Sequence, residues 1–516
     1  GSSATTTRAL LAALRGRGAR LLGLSVGPDS WVEMRGGPMG AGYVGPIEGA
    51  YDAVLGAGVQ PEPLGTFDCL RVDALGIEAR GWNGHAFAWK PVKSMLRHAC
   101  DRPVRTLRVA GAELLVTDDH AVYRVEGKRG GSCEFVSRLS AEFSPGDVVA
   151  VDAGDGWTGA ETPIDVLSLI EMDGVQVAVD LGGATRASLG MTPKRWYAAR
   201  NRGAHGHHLA AAVYRRSRSA LPRAEKLYTE GARGHWIAPS FLLSDWAYVL
   251  GFWLGNGWVN GGRVCFSVKN ADADRFEAVL RALPHVEWNV SRRPMRGSVE
   301  FRCSCAPAAA LFRALLGRVE APEKFIPAAW ITTWPETARR ALIDGLMDSD
   351  GHAAVRDRGR ERCHFTTTSL RLARGLLALL RSVGVSGSLH RRSNSGEGGV
   401  IDGRQIVGRR ATYSVHWSLH ALRGDNGQHR GARSRFDHGD KSFRESVVRA
   451  TTPCEAPTFV YDLEMSGHPS FVADGVLVHN TATPARGDGQ PLDEFDALVC
   501  GPSMCDLIAL GALVRP

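Results

Sequence analysis

Three groups of residues in this 516-residue chain carry chemistry in their types and spacing. The first is His479-Asn480-Thr481. An asparagine amide can attack its own backbone carbonyl carbon, cyclise and break the following peptide bond. A neighbouring imidazole protonates the leaving group or polarises the carbonyl, and a threonine after the bond offers a hydroxyl nucleophile. The tripeptide alone reads more readily as a chance run in a turn. The second group is a repeated pattern, Val249-Leu250-Gly251-Phe252-Trp253-Leu254-Gly255-Asn256-Gly257 and Ile343-Asp344-Gly345-Leu346-Met347-Asp348-Ser349-Asp350-Gly351. Each run is apolar and helical, with Gly third, an acid or amide eighth and Gly ninth. Small residues let two helices pack closely, so Asn256 and Asp350 meet at their C-terminal ends. Oxygen ligands there suit a divalent cation for phosphodiester hydrolysis; two ordinary core helices are the alternative. The third group is basic. Residues 193–235 hold ten Lys/Arg against two acids, an excess equal to the +8 of the whole chain. Thr192 and Pro193 read as the N-cap and first position of a helix carrying Lys194, Arg195, Arg200 and Arg202, with Arg215 and Arg216 beyond it. Trp196 and Tyr197 are expected to face inward. Contact with DNA phosphates and a solvated basic face both fit this composition.

The elements that must position these groups fall in an unusual order. Thr5–Leu24 has a basic helical pattern. From Ser25 to about Asp165 short β-rich runs recur between Gly, Asp and Pro turns: Thr106–Val109, Glu113–Val116, Ala121–Val125 and Val148–Val151. After the basic stretch, Ser244 to about Leu389 alternates helical periodicity (Asp272–Ala282, Leu370–Val383) with strand texture (Val299–Cys303). Residues 391–446 are rich in Gly, Arg and Ser, and β texture returns at Thr458–Glu464 and Phe471–Val478. The arrangement is a β domain split by a nested α/β domain. No apolar run reaches the roughly 18 residues of a membrane span. Ten cysteines without a CxxC pair argue against a disulfide framework or structural zinc and for a reducing cytoplasm. The opening Gly1-Ser2-Ser3 reads as a cloning remnant with no signal-peptide core behind it.

The run Val460-Tyr461-Asp462-Leu463-Glu464 to Phe471-Val472-Ala473-Asp474-Gly475-Val476-Leu477-Val478-His479-Asn480-Thr481 resembles the C-terminal splicing blocks of the inteins, the self-splicing proteins. One departure is Pro469, which stands where the family often has His; His468 lies one residue earlier. Ser25-Val26-Gly27-Pro28-Asp29-Ser30-Trp31-Val32 resembles the start of inteins of archaeal DNA polymerases. Thr117-Asp118-Asp119-His120 is similar to their Thr-x-x-His block, and Ser144-Pro145-Gly146-Asp147 to a family turn. The resemblance implies a horseshoe-like all-β Hint splicing fold. In it Ser25 attacks the Leu24 carbonyl, Thr117 and His120 activate that step, Asp462 assists transfer to Thr481, and Asn480 cyclises with help from His479. No cofactor is implied for splicing. Excision of 25–480 would join Arg20-Leu21-Leu22-Gly23-Leu24 to Thr481-Ala482-Thr483-Pro484-Ala485-Arg486. That junction resembles the Thr-Ala-Thr-Pro motif of superfamily-2 helicases.

The paired helices resemble the LAGLIDADG homing endonucleases. Lys324-Phe325-Ile326-Pro327 is similar to a further block of that family, which implies Lys324 near the scissile phosphate, and Leu370–Val385 to the helix closing its second half. The resemblance implies Mg²⁺ held at Asp350 and position 256, and a double-stranded DNA target, the helicase gene lacking the insert. Asn256 stands where the family has Asp, so weak or absent cleavage is expected. Thr185–Gly203 resembles helix-turn-helix DNA readers. The expected organisation is 1–24 N-terminal flank; 25–165 and 447–480 splicing domain; 166–240 DNA-recognition insert; 241–446 endonuclease domain; 481–516 C-terminal flank. A monomer with no membrane partner is expected. The other readings are a DNA-binding protein or maturase with a dead nuclease and no splicing, and a helicase fragment.

Overall fold

A computed structural model describes residues 25–480 with internal interruptions, the longest at 201–207 and 419–437. Both flanks, Thr481 and Arg202 therefore lie outside the described residues. The chain divides into two compact units, 1–156 with 426–516, and 157–425.

In the first unit every strand pairing is antiparallel. One sheet is built around the long strand Phe87–Ala99, which pairs with Glu78–Trp82, Phe67–Arg71 and Phe459–Met465. The other runs from Cys133–Leu139 through Ala121–Gly127, Val476–His479, Val148–Val151, Arg444–Cys454 and Val104–Val109 to Ala112–Thr117. Both sheets take strands from both ends of the chain. Alternating apolar residues of the two sheets, among them Val26, Leu107, Val116, Phe471 and Val478, form one buried core with the helix Ile47–Gly56. The last hairpin turns on Asp474-Gly475, both with positive φ (50° and 81°), the type I′ geometry that an Asp-Gly pair favours.

The second unit repeats one plan. The helix Ala247–Asn256 runs directly into the strand Gly257–Asn260 of a four-stranded antiparallel sheet. The helix Glu336–Asp350 runs into Gly351–Arg356 of a second such sheet. The amphipathic helix Leu370–Ser382 starts at Ser369, whose hydroxyl accepts from the Leu372 N–H (3.1 Å). No helix among the described residues is long and apolar enough to cross a membrane.

The first unit gives way to the second after residue 156, and Ile164–Asp165 pairs with Ser240–Phe241 of the second unit. One expectation is corrected here. The basic insert is not a helical module. Arg186–Gly190 is a turn, and the α-helices of that stretch among the described residues are the short Val166–Leu169, Pro193–Arg200 and Ala211–Ser217. Its strands Val175–Ala178, His208–Ala210, Lys226–Thr229 and Trp236–Ile237 form an antiparallel sheet that continues to Val286–Glu287. Insert and helical region thus share backbone hydrogen bonds and form one unit.

Candidate functional site

Ser25 is threaded between two strands. The Val26 N–H donates to the Tyr461 carbonyl (2.8 Å), and the Tyr461 N–H returns a bond to the Val26 carbonyl (2.9 Å). On the other side the Gly27 N–H donates to Leu115 O (2.8 Å) and the Thr117 N–H to Ser25 O (3.1 Å). Ser25 therefore lies between the strand that ends at Thr117 and the strand that carries Asp462, and all three side chains are buried. The Thr117–His120 turn is fixed by its own backbone: the His120 N–H donates to Thr117 O (2.9 Å), and Ser140 Oγ donates to the same carbonyl (2.8 Å). Arg105 clamps Asp118 with two bonds (2.7 and 2.8 Å), and this pairing holds the Asp118 carboxyl below its ordinary pKa. His120 is buried, and Thr117 Oγ1 meets no hydrogen-bond partner among the described residues.

Sequence reading did not find His98, which the structure places on Ser25. It stands near the end of the Phe87–Ala99 strand, with Nε2 2.8 Å from Ser25 Oγ and Nδ1 2.9 Å from the Ala99 carbonyl. A carbonyl can only accept, so Nδ1 carries the proton and Nε2 accepts from the serine hydroxyl. Burial lowers the His98 pKa from its ordinary value and keeps the ring neutral near pH 7.

The His479-Asn480 pair lies at the end of the Val476–His479 strand. His479 Nδ1 donates to the carbonyl oxygen of Asn480, the carbonyl whose C–N bond leads to Thr481. Burial holds the His479 pKa below its ordinary value, and Tyr123 stacks on the ring at 5.6 Å. In the amide orientation that satisfies both its ends, Asn480 Nδ2 donates to Pro469 O (3.0 Å) and Oδ1 accepts from the Met465 N–H (2.8 Å). Met465 belongs to the same strand as Asp462, so one strand reaches both the neighbourhood of Ser25 and the Asn480 amide. The His468–Ser470 loop is held by Lys90, whose ammonium donates to the carbonyls of His468 and Ser470 (3.1 Å to the latter). Tyr123 Oη also donates to Pro469 O (3.0 Å). His468 packs against Tyr123, with Nδ1 2.9 Å from Ser470 Oγ. Burial, then Lys90 and His479, push its pKa down to about 4.

In the second unit the two patterned helices meet backbone to backbone. A Cβ on Gly251 would lie 2.1 Å from the Leu342 carbonyl oxygen, and one on Gly345 2.0 Å from that of Tyr248. Asn256 Nδ2 donates to Ser349 O (3.1 Å), and the Asn256 side chain also hydrogen-bonds the Asp350 carboxylate. Burial raises the Asp350 pKa, and the Asn256 bond and Lys324 oppose that rise. Lys324 is buried and donates to Trp253 O (2.9 Å), Gly255 O (3.1 Å) and Gly257 O (2.9 Å). All three N–H groups are engaged in closing the end of the Ala247–Asn256 helix. Burial lowers its pKa to about 8.

Among the basic residues, Lys194, Arg195 and Arg216 are exposed, and the Arg200 side chain lies outside the described residues. Thr192 caps its helix through Oγ1, which accepts from the Arg195 N–H (3.4 Å). Tyr197 is 70% exposed rather than inward-facing. Arg215 Nη2 donates to the carbonyls of Leu167 (2.6 Å) and Ile170 (3.0 Å), a structural cap on the short helix Val166–Leu169.

Residues 337–415 match the family described as a LAGLIDADG-like domain. The matched stretch begins one residue into the Glu336–Asp350 helix and ends within Thr412–Ser418. Two curated relatives are the iron-sulfur cluster assembly SufBD family proteins Mb1496 of Mycobacterium bovis and Rv1461 of Mycobacterium tuberculosis. Each is 32% identical over 150 residues, covering 29% of this chain and 16% of the relative. The matched part is therefore about one sixth of those proteins. Similar solved structures include the transcription factor IIB Mvu mini-intein (19% identity, TM-score 0.21, covering 25% of this chain and 70% of that one). Mesophilic variants of the homing endonuclease I-DmoI also match (16% identity, TM-score 0.26, 35% and 92%). At these scores neither likeness bears on fold or activity.

Proposed function

We propose that the chain excises residues 25–480 from itself and joins its flanks, and that the nested unit binds double-stranded DNA. The observation that carries the first part is the strand Phe459–Met465. It pairs with Val26 beside Ser25 and presents Met465 to the amide of Asn480, so the two ends of a 456-residue stretch are held by one element. In this reading Thr117 and His120 activate the Leu24–Ser25 amide. Ser25 Oγ takes the Leu24 acyl group as an ester, and Thr481, assisted by Asp462, takes it in turn. Asn480 Nδ2 then attacks its own carbonyl carbon, which His479 Nδ1–H polarises, and the peptide bond to Thr481 breaks. A shift of the acyl group from the Thr481 hydroxyl to its amine completes the new peptide bond. The Thr-Ala-Thr-Pro junction supports a helicase as the host.

Mass spectrometry of the expressed chain tests this. Splicing yields a 456-residue excised product and a joined 60-residue product. Asn480→Ala should abolish both, and a full-length chain that persists unchanged with or without Asn480→Ala overturns the reading.

For the nested unit, the LAGLIDADG-like stretch and the exposed Lys194, Arg195 and Arg216 support a DNA partner. The cation implied by the family does not fit the residues present. A hard divalent ion needs several oxygen ligands, and one of the two facing side chains is a neutral amide whose N–H groups point at Ser349 and Asp350. No cluster of three metal-ligating side chains is found among the described residues. We therefore assign this unit binding without efficient double-strand cleavage.

A further inference from the structure

We propose that His98 is the general base that activates Ser25 for the first acyl transfer, forming with it a buried Ser–His dyad. The inference rests on the splicing reading above. A serine hydroxyl is a weak nucleophile that needs an adjacent base. Here the base is in hydrogen-bond contact at 2.8 Å, and the serine is fully buried. Its partner ring is locked by the Ala99 carbonyl into the tautomer that accepts at Nε2. The backbone holds both partners: Ser25 by Thr117 and the Val26–Tyr461 bridge, His98 by register with Val460 on one side and Phe67 on the other. Neither can swing away without breaking a sheet. In the step, His98 Nε2 takes the Oγ proton as Oγ bonds to the Leu24 carbonyl carbon. The Leu24–Ser25 C–N bond then breaks, and His98 returns that proton to the departing Ser25 nitrogen. The ring ends neutral, as it began, and no co-reactant is needed. This division of labour leaves Thr117 and His120 to orient and polarise the amide.

The test uses the full chain carrying Asn480→Ala and Thr481→Ala, which stops later steps at the ester. Hydroxylamine cleaves the ester and releases residues 1–24, counted by mass spectrometry. His98→Gln should slow release by about 100-fold or more, the usual range for a lost general base. The same substitution in a Ser25→Cys background should cost less than about 10-fold, because a thiol with pKa near 8.5 ionises without help. Equal losses in both backgrounds would reduce His98 to a structural part and overturn the proposal, as would unchanged release in the Ser25 chain. No release with His98 intact, in either background, would instead remove the splicing reading and the dyad with it.

Discussion

At the scale of single residues, the decisive feature of the second unit is one amide. The Asn256 amide hydrogen-bonds the Asp350 carboxylate, and in the function proposed above that pair closes what two facing carboxylates would offer a cation. Asn256→Asp would place two negative charges at the ends of the paired helices, a repulsion that a bound divalent ion relieves. Mn²⁺ should then raise the unfolding temperature of the Asn256→Asp chain and leave that of the parent unmoved. At 100-fold excess over Kd the gain is about 2.7 kcal/mol. Thermal unfolding with and without Mn²⁺ measures it, and equal stabilisation of the parent would show that Asn256 does not close the site. The residues legible from sequence were those whose chemistry demands adjacency or a fixed short spacing: His479 beside Asn480, and Thr117 three before His120. His98 was not legible, because its partner is 73 residues away and no local pattern marks a strand histidine that faces a serine. The three carbonyls that Lys324 caps were not legible either, since they belong to a helix end about 70 residues earlier in the chain.

Pairs of elements explain which glycines the chain cannot change. At Gly251 and Gly345 a methyl group would meet a backbone oxygen of the opposing helix at 2.1 and 2.0 Å, and neither oxygen can rotate away. The helices would have to part, which also separates Asn256 from Ser349. Gly251→Ala or Gly345→Ala should therefore destabilise the second unit by about 1–3 kcal/mol, the usual cost of overpacking, despite alanine's better helix propensity. Gly56→Ala, at a helix end with open space around it, should be neutral or slightly stabilising. Chemical denaturation of each variant measures the difference, and a Gly251→Ala chain as stable as its parent would contradict the close packing. That packing is also why the two-helix pattern could be read from sequence: contact between backbones restricts residue type at fixed intervals. The basic insert gave no such restriction. Its strands are only two to four residues long and lie on either side of a well-capped helix, so the cap signal at Thr192-Pro193 dominated and the sheet was missed.

Over the whole molecule, the chain returns to its starting point: strands after residue 443 complete sheets begun before residue 152, and the α/β unit occupies the interval. The strand ladders of the β unit are closed within itself. The charge follows the same division, with the excess of the chain matched by that of 193–235. If Lys194, Arg195 and Arg216 meet DNA phosphates, each releases counterions on binding, and the slope of log K against log salt falls by about 0.9 per contact. Replacing all three by Ala should flatten that slope by about 3 units on a mixed-sequence DNA duplex and leave excision of 25–480 unaffected. Arg215→Ala should behave differently. It uncaps the Leu167 and Ile170 carbonyls, so it should lower the stability of the second unit and change the salt slope little. Fluorescence anisotropy across a salt series distinguishes the two patterns, and an unchanged slope in the triple variant would move the DNA contact away from this stretch.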